Sequence, residues 1–337
     1  MKKGKKIINN PRNIVSEALD GLVSAYGGEL FRVNGKGVIL RKSIPEGKVT
    51  LLVGGGSGHE PLFGGYVGKN LADGAVAGNI FAAPTPDQIL LATEKLNKGK
   101  GVLYLYGNYA GDVLNFDMAA EFAADQGIET KTVRVWDDVA SAPPERFTDR
   151  RGIAGDFFVI KIAGAAAANL NTLEEVYLAA CKARDNTRSI GVAVSPGTFP
   201  ETGEPTFELA DDDIEIGMGL HGEKGVSRSK MMSADAIVDL MLNRILQDLP
   251  FIPGDQVCLL INNLGATTMT ELFIACRRVH QVLILNGITI YSTDMGSYCT
   301  SQEMAGFSIT LMKLDEELKM FYDLPAASLA YTKGLKE

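Results

Sequence analysis

Short apolar runs rich in β-branched and aromatic residues alternate along this chain with amphipathic runs of helical period. Residues 48–53 form the first clear strand-like run, which stops at Gly54-Gly55-Gly56. Residues 101–106 form another, stopping at Gly107-Asn108, and 113–126 follow with helical spacing. Residues 130–136 read as a strand. Thr172-Leu173-Glu174-Glu175 fits a capping box, in which the Thr hydroxyl and the Glu carboxylate satisfy each other's backbone N–H groups. It opens a helix to about Asn186. Residues 188–194 are a strand again.

The texture changes over 195–213, where Pro196, Gly197, Pro200, Gly203 and Pro205 precede Asp211-Asp212-Asp213. This stretch reads as a connection between two halves. After it, 214–218 reads as a strand, Ser233 caps a helix to about Leu249, and 256–262 is a strand. Thr268-Met269-Thr270-Glu271 opens another helix, and 288–292 and 307–311 are strand-like. The alternation predicts two α/β domains, each a mixed, largely parallel sheet covered by helices. The expected division is an N-terminal domain over 1–190, a connecting segment over 191–212 and a C-terminal domain over 213–337. The tail of the last can pack back on the first.

Composition narrows the classes. Glycine supplies 37 of 337 residues, against 13 prolines, with no Gly-X-Y period, which excludes collagen and argues against a disordered chain. The 33 Lys and Arg against 41 Asp and Glu leave a net charge of −8, and no long basic run offsets it. Nucleic acid is therefore not expected as a partner. No uninterrupted apolar run reaches the roughly 18 residues of a membrane-spanning helix. The start, Met1-Lys2-Lys3-Gly4-Lys5-Lys6, is basic but lacks the apolar stretch of a signal peptide. Cys181, Cys258, Cys276 and Cys299 are far apart and form no C-x-x-C pair, so they read as reduced, packed thiols of a cytoplasmic protein. No His, Cys, Asp and Glu spacing suggests a metal site.

Chemistry concentrates in glycine-rich segments. Leu51-Leu52-Val53-Gly54-Gly55-Gly56-Ser57-Gly58-His59-Glu60-Pro61 runs from a strand into four glycines within five residues. Such a turn can take positive φ and bring backbone N–H groups close to a ligand. No Gly-Lys-Ser/Thr follows, so it is not a phosphate-binding loop of that type, and His59 stands where a third fingerprint glycine would be. Gly217-Met218-Gly219-Leu220-His221-Gly222 does match G-x-G-x-x-G after a strand. The residues after it open no helix, and no acidic residue follows at the ribose-binding spacing, so a dinucleotide site is not expected. Two of the three histidines thus lie in glycine-rich turns. His280, at the edge of a helical apolar stripe with Leu272, Cys276 and Val279, reads as a partly solvated bystander. Asp112, in Tyr106-Gly107-Asn108-Tyr109-Ala110-Gly111-Asp112, reads either as a helix N-cap or as a carboxylate facing the same crevice as His59. Arg150-Arg151-Gly152 reads either as an anion site or as a solvated turn.

At these residues the chain resembles the dihydroxyacetone kinase family, specifically its K, or sugar-binding, subunit. Gly54–Pro61, Gly107–Asp112 and Gly219-Leu220-His221-Gly222-Glu223 carry the resemblance. Pro84-Thr85-Pro86-Asp87-Gln88, Asn262-Asn263-Leu264-Gly265-Ala266-Thr267 and Met304-Ala305-Gly306-Phe307-Ser308-Ile309-Thr310 extend it, as does Ile8-Asn9-Asn10-Pro11. The resemblance implies that a His imidazole, here His221, captures a short ketose such as dihydroxyacetone (glycerone) as a hemiaminal. It implies that His59 and Asp112 form the acid/base pair for the terminal hydroxyl, and that Gly56, Ser57, Gly58 and Gly107 help line the sugar site. The nucleotide, ADP or ATP with Mg²⁺, is then expected on a partner L subunit and not on this chain. In many bacteria the phosphotransferase-system protein M recharges it. A homodimer is expected. The chemistry is consistent: a neutral imidazole, of ordinary pKa about 6.5, can add to a carbonyl, and in-line placement is most of what phosphoryl transfer needs.

The chain departs from the family pattern at three places. Gly107 stands where Lys is common, Ala82-Ala83 where hydroxyl residues are common, and Lys224 where Pro is common. These departures suggest a different or larger ketose, such as the tetrulose erythrulose. A non-catalytic ketose sensor that partners a transcriptional regulator is the alternative, although the retained His59 and Asp112 favour an enzyme.

Overall fold

The computed structural model describes residues 4–334. Met1-Lys2-Lys3, part of the start read above as no signal peptide, lies outside the described residues. Two six-stranded sheets organise the chain. The first contains β1 (Leu30–Arg32), β2 (Val38–Arg41), β3 (Thr50–Ser57), β4 (Gly74–Ile80), β5 (Val102–Gly107) and β6 (Thr130–Val135), in the order β1-β2-β4-β3-β5-β6. Strands β4, β3, β5 and β6 run parallel, and β1 and β2 add two antiparallel pairings at one edge. The second contains β7 (Thr187–Ser195), β8 (Asp213–Ile216), β9 (Ser227–Lys230), β10 (Gln256–Asn263), β11 (Thr289–Gly296) and β12 (Ala305–Leu314), in the order β11-β10-β12-β7-β8-β9.

Both sheets are mixed, as expected, but the second is not largely parallel. Only β10–β11 is parallel there, and the other pairings are antiparallel. The reason is β12, which inserts between β10 and β7 and opposes both, while β7, β8 and β9 continue as a meander.

Eight helices cover the sheets among the described residues: α1 (Ile14–Ala25), α2 (Pro86–Leu96), α3 (Ala110–Asp125), α4 (Asp156–Asn169), α5 (Leu173–Asp185), α6 (Ala234–Asp248), α7 (Met269–Leu285) and α8 (Glu316–Asp323). The expected caps form. The Glu175 N–H donates to Thr172 Oγ1 at 3.2 Å while the Thr172 N–H donates to the Glu175 carboxylate at 3.0 Å. Thr268 and Glu271 make the same reciprocal pair at α7, and the Ala236 N–H donates to Ser233 Oγ at the start of α6. Under α2 and α3, the first core joins Leu52, Val76 and Tyr104 to Ile89, Phe116 and Ala119. Under α6 and α7, the second joins Val192, Leu259 and Leu311 to Val238, Leu242 and Val279.

The chain divides into two compact units that interleave in sequence. One takes Trp136–Gly155 and Arg184–Asp315, with the segment ending at Ile7. The other takes Ile8–Val135, Asp156–Ala183 and the segment starting at Glu316. This differs from the sequential division at 190 and 213. Strand β7 pairs with β12 from Ser195–Ala305 to Thr187–Met312, which places it in the second sheet. The stretch 195–213 therefore joins neighbouring strands β7 and β8 of one sheet and is not a link between halves. The tail does return to the first sheet's unit: Lys161 Nζ of α4 donates to the Phe321 carbonyl of α8 at 2.8 Å, and Phe158 meets Tyr322 edge-on.

Candidate functional site

Strand β3 does not stop at Gly54. It continues through Gly54, Gly55 and Gly56 to Ser57, and every residue of it is buried. The glycines are therefore not a flexible turn. A Cβ on Gly54 would lie 2.8 Å from the Val76 carbonyl oxygen, one on Gly55 2.4 Å from the Phe63 ring, and one on Gly56 2.9 Å from the Ala82 nitrogen. Neighbours already occupy the space a side chain would need. In this run only Gly58 has positive φ, at 102°. Behind the glycines, facing Leu22, Ile39 and Phe63, lies a cavity of about 30 Å³, room for one water and too small for a sugar.

The strand's end is tied down on all sides. Ser57 Oγ donates to the Gly78 carbonyl at 2.7 Å, and the Gly58 N–H donates to both Glu60 carboxylate oxygens at 3.0 and 3.1 Å. His59 is buried, at 3% exposure, and its ring stacks on Phe81 with centres 5.0 Å apart. The Phe81 N–H donates to the Ser57 carbonyl at 2.9 Å, so the loop after β4 is pinned to the same strand end.

Beside β3, β5 ends at the buried Gly107, and the chain turns into α3. Tyr109 is the N-cap, since its carbonyl accepts the Val113 N–H at 2.9 Å. Asp112 is accordingly not the cap but the third residue of the helix, at 7% exposure. A carboxylate there is favoured by the helix N-terminus. Asn115 Nδ2, one turn further on, donates to the Pro84 carbonyl at 2.8 Å and fixes α3 against the segment leading to α2. Because β3 and β5 are parallel neighbours, Gly56-Ser57-Gly58-His59 and Gly107–Asp112 leave the sheet at one edge, its C-terminal one. Ligands of open α/β sheets gather there.

His221 lies in the other unit, in the turn joining β8 to β9. The apparent dinucleotide fingerprint is this hairpin turn. Gly217 and Gly222 have φ of 77° and 84°, a conformation that favours glycine. The turn closes on itself through Gly219 N–H to the Glu223 carbonyl at 3.1 Å and Gly222 N–H to the Gly219 carbonyl at 3.2 Å. Glu215, fully buried, accepts the Gly225 N–H at 2.8 Å and pairs with Arg228 across the hairpin. His221 is half-buried, and its Nδ1 is 2.9 Å from Glu223 Oε1. The His221 N–H donates to Glu223 Oε2, also at 2.9 Å. Burial raises the Glu223 carboxyl, but His221 and Arg151 outweigh it and hold it at about 2.

Neither arginine of the Arg150-Arg151 pair is an anion site or solvated. Arg150 is buried, and its guanidinium makes a two-pronged pair with Asp248. Arg151 donates to Asp138 Oδ2 at 2.8 Å and to the Gly217 carbonyl at 3.0 Å, at the base of the His221 turn. Asp138, fully buried, is raised by that burial to about 6, against the opposing pull of Arg151. From the sequence, Glu223 stood only as part of the His221 motif and Arg151 only as an anion site or solvated turn, and Asp138 was not singled out. The His-Gly-Glu spacing was the available signal for Glu223; nothing in the sequence tied Arg151 or Asp138 to this turn.

The Asn262–Thr267 motif supports the same turn. Asn262 is buried, accepting the Tyr298 and Cys299 N–H groups at 2.9 Å each and donating to the Cys299 carbonyl at 2.7 Å. Ser301, at the end of that loop, donates to the Leu220 carbonyl next to His221. Thr267 Oγ1 accepts the Gly306 N–H at 2.7 Å, which accounts for the neighbouring glycine motif. His280 is half-buried on α7, 3.3 Å from Thr293 Oγ1, away from either glycine-rich segment in sequence. Cys258 and Cys299 are buried, and Cys181 and Cys276 half-buried. Among the described residues, no helix is long and apolar enough to cross a membrane, and no group of three His, Cys, Asp or Glu could hold a metal ion.

Comparison with known proteins places these features in a family. The Dak1 domain matches residues 20–330. The chain is 47% identical over 323 residues to the PTS-dependent dihydroxyacetone kinase 2, dihydroxyacetone-binding subunit DhaK, of Listeria innocua, covering 95% of this chain and 97% of that one. It is 39% identical to the L-erythrulose kinase of Pectobacterium atrosepticum, covering 97% of this chain but 56% of that longer one. Among solved structures, the dihydroxyacetone kinase of C. freundii superposes with a TM-score of 0.90 at 31% identity, covering 98% of this chain and 60% of that one. The dihydroxyacetone kinase operon co-activator DhaQ superposes with a TM-score of 0.87 at 30% identity, covering 94% and 98%.

Proposed function

This chain belongs to the Dak1 domain family, and on that premise we propose that it is the sugar-binding subunit of a dihydroxyacetone-type kinase. His221 captures a short ketose as a hemiaminal. His59 and Asp112 take the proton of its terminal hydroxyl as phosphorus is transferred. Gly56, Ser57, Gly58 and Gly107 line the sugar site at the C-terminal edge of the first sheet. The phosphoryl donor is carried by a separate nucleotide-bearing subunit, recharged through the phosphotransferase system.

The observation that carries the reading is the His221 turn. A half-buried histidine held by a carboxylate on one ring nitrogen, in a hairpin turn followed directly by the positive-φ Gly222, suits addition to a carbonyl. Covalent capture also explains selectivity, since a polyol without a carbonyl gives the imidazole nothing to attack. His59 and Asp112, at one edge of the other sheet, supply a base and an acid of suitable type for the hydroxyl step.

The test separates capture from turnover. Asp112→Asn should keep a ketose adduct detectable by intact mass and lose phosphorylation when the nucleotide-bearing partner is supplied. Full turnover in Asp112→Asn would remove Asp112 from the acid/base role. A second reading, a ketose sensor for a transcriptional regulator, draws support from the likeness to the co-activator. It keeps the adduct but predicts no phosphorylated product with any partner subunit.

A further inference from the structure

The turn that carries His221 holds more charged machinery than covalent capture by an imidazole requires. Glu223 is committed to His221 twice, through the ring Nδ1 and through the backbone N–H. Behind it stands Arg151, whose Nη1 is 4.0 Å from Glu223 Oε2 and whose other guanidinium nitrogens reach Asp138 Oδ2 at 2.8 and 3.1 Å. Arg151 also holds the Gly217 carbonyl, so it grips the turn and the carboxylate together. Asp138 is itself fixed by the Ala140 N–H at 3.0 Å. Gly219 leaves the space this arrangement occupies: a Cβ there would lie 2.1 Å from Glu223 Oε2 and 2.5 Å from Arg151 Nη1. The G-x-G of this segment therefore has a packing purpose at its second glycine that a mere turn would not demand.

We propose that Glu223, held by Arg151 and Asp138, is the positioning residue that fixes the tautomer of His221 and balances the charge its ring acquires on capture. This deepens the capture reading above and rests on it. An ionised carboxylate can only accept hydrogen bonds. Nδ1 of the neutral ring must then carry the hydrogen, and Nε2 the lone pair. The addition balances as follows. The Nε2 lone pair forms the bond to the ketone carbon, the C=O π pair moves to oxygen, and that oxygen takes a proton from water, whose hydroxide leaves to the solvent. The ring, having given up its lone pair, becomes cationic, and the Glu223 carboxylate lies 2.9 Å from the nitrogen that shares that charge. Arg151 backs Glu223 and holds the base of the turn, and Asp138 keeps Arg151 from swinging away.

The test uses the full chain with ¹⁵N-labelled histidine, of which there are only three. His221→Ala assigns the signals. In the wild type the His221 ring should show Nδ1 protonated and Nε2 unprotonated in its neutral form. Glu223→Ala should mix the tautomers and slow adduct formation with dihydroxyacetone by about tenfold or more. Glu223→Gln, which keeps an acceptor but not the charge, should fall between. Gly219→Ala, which removes no polar group, should shift both readouts in the direction of Glu223→Ala and guards against simple misfolding of that variant. A wild-type ring protonated at Nε2 would overturn the proposal, as would a Glu223→Ala variant unchanged in tautomer and rate. A wild type that forms no adduct would overturn the capture reading, while the ring nitrogens would still decide the positioning one.

Discussion

Gly56→Ala isolates the claim that the glycine run of β3 is a packed strand and not a flexible loop. The new methyl carbon would lie 2.9 Å from the Ala82 nitrogen and 3.1 Å from two backbone carbon-framework atoms of Phe81. Ordinary contact begins near 3.5 Å, so that backbone must retreat by roughly 0.5 Å. It cannot do so freely, because the Phe81 N–H is bonded to the Ser57 carbonyl and the Phe81 ring backs His59. Overpacking of this kind costs about 1–3 kcal/mol, offset by the roughly 0.5–1 kcal/mol that Ala gains over Gly in backbone entropy. The net expectation is a loss of about 1–2 kcal/mol. Because His59 is displaced along with Phe81, kcat should fall by about tenfold, given that a 1 Å misplacement can cost about a hundredfold. Gly21→Ala is the matched control. It lies in α1 with nothing within 4 Å of its Cβ position, and the same chemical change there should stabilise by about 0.5–1 kcal/mol. Urea denaturation and phosphorylation assays of both variants decide the matter. A Gly56→Ala protein as stable and active as wild type would refute the reasoning.

Other outcomes follow from the same structure. Arg150→Met leaves the buried Asp248 with only Arg188, and should cost about 3 kcal/mol in urea denaturation; a loss under about 1 kcal/mol would contradict a buried pair. The Glu223 carboxyl is pushed up by burial but held at about 2 by His221 and Arg151, below its unfolded value. Its stabilisation is therefore present above about pH 4.5 and is lost as pH falls towards 2. The stability gap between wild type and Glu223→Gln should shrink on going from about pH 6 to about pH 3, and a gap that widens would contradict the sign. With the nucleotide-bearing subunit supplied, erythrulose should be phosphorylated at least as well as dihydroxyacetone, since Gly107 stands where Lys is common in the family. A clear preference for dihydroxyacetone would remove the tetrulose reading.

Much of the fold was readable where one face of an element meets water. The capping residues Thr172, Ser233 and Thr268 gave helix starts, because their side chains must satisfy backbone N–H groups locally. Helix α4 was not readable, since Asp156 through Ala167 are all buried and no polar stripe sets a period. The pairing of β7 with β12 was equally hidden, because a partner more than a hundred residues away leaves no local mark. At the site, glycine and histidine together located the segments that matter. Their physics differed from the expectation: glycine in β3 serves close approach, whereas at Gly217 and Gly222 it serves positive φ. The link of Arg151 and Asp138 to the His221 turn was illegible, because a sequence does not show which arginine meets which turn.

The bond itself is the most direct test of the account. Dihydroxyacetone labelled with ¹³C at C2, bound to protein carrying ¹⁵N-labelled histidine, should show a one-bond ¹³C–¹⁵N coupling between C2 and Nε2 of one histidine. That coupling should vanish in His221→Ala and persist in Asp112→Asn. No coupling in the wild type, or a coupling that survives in His221→Ala, would contradict covalent capture at His221.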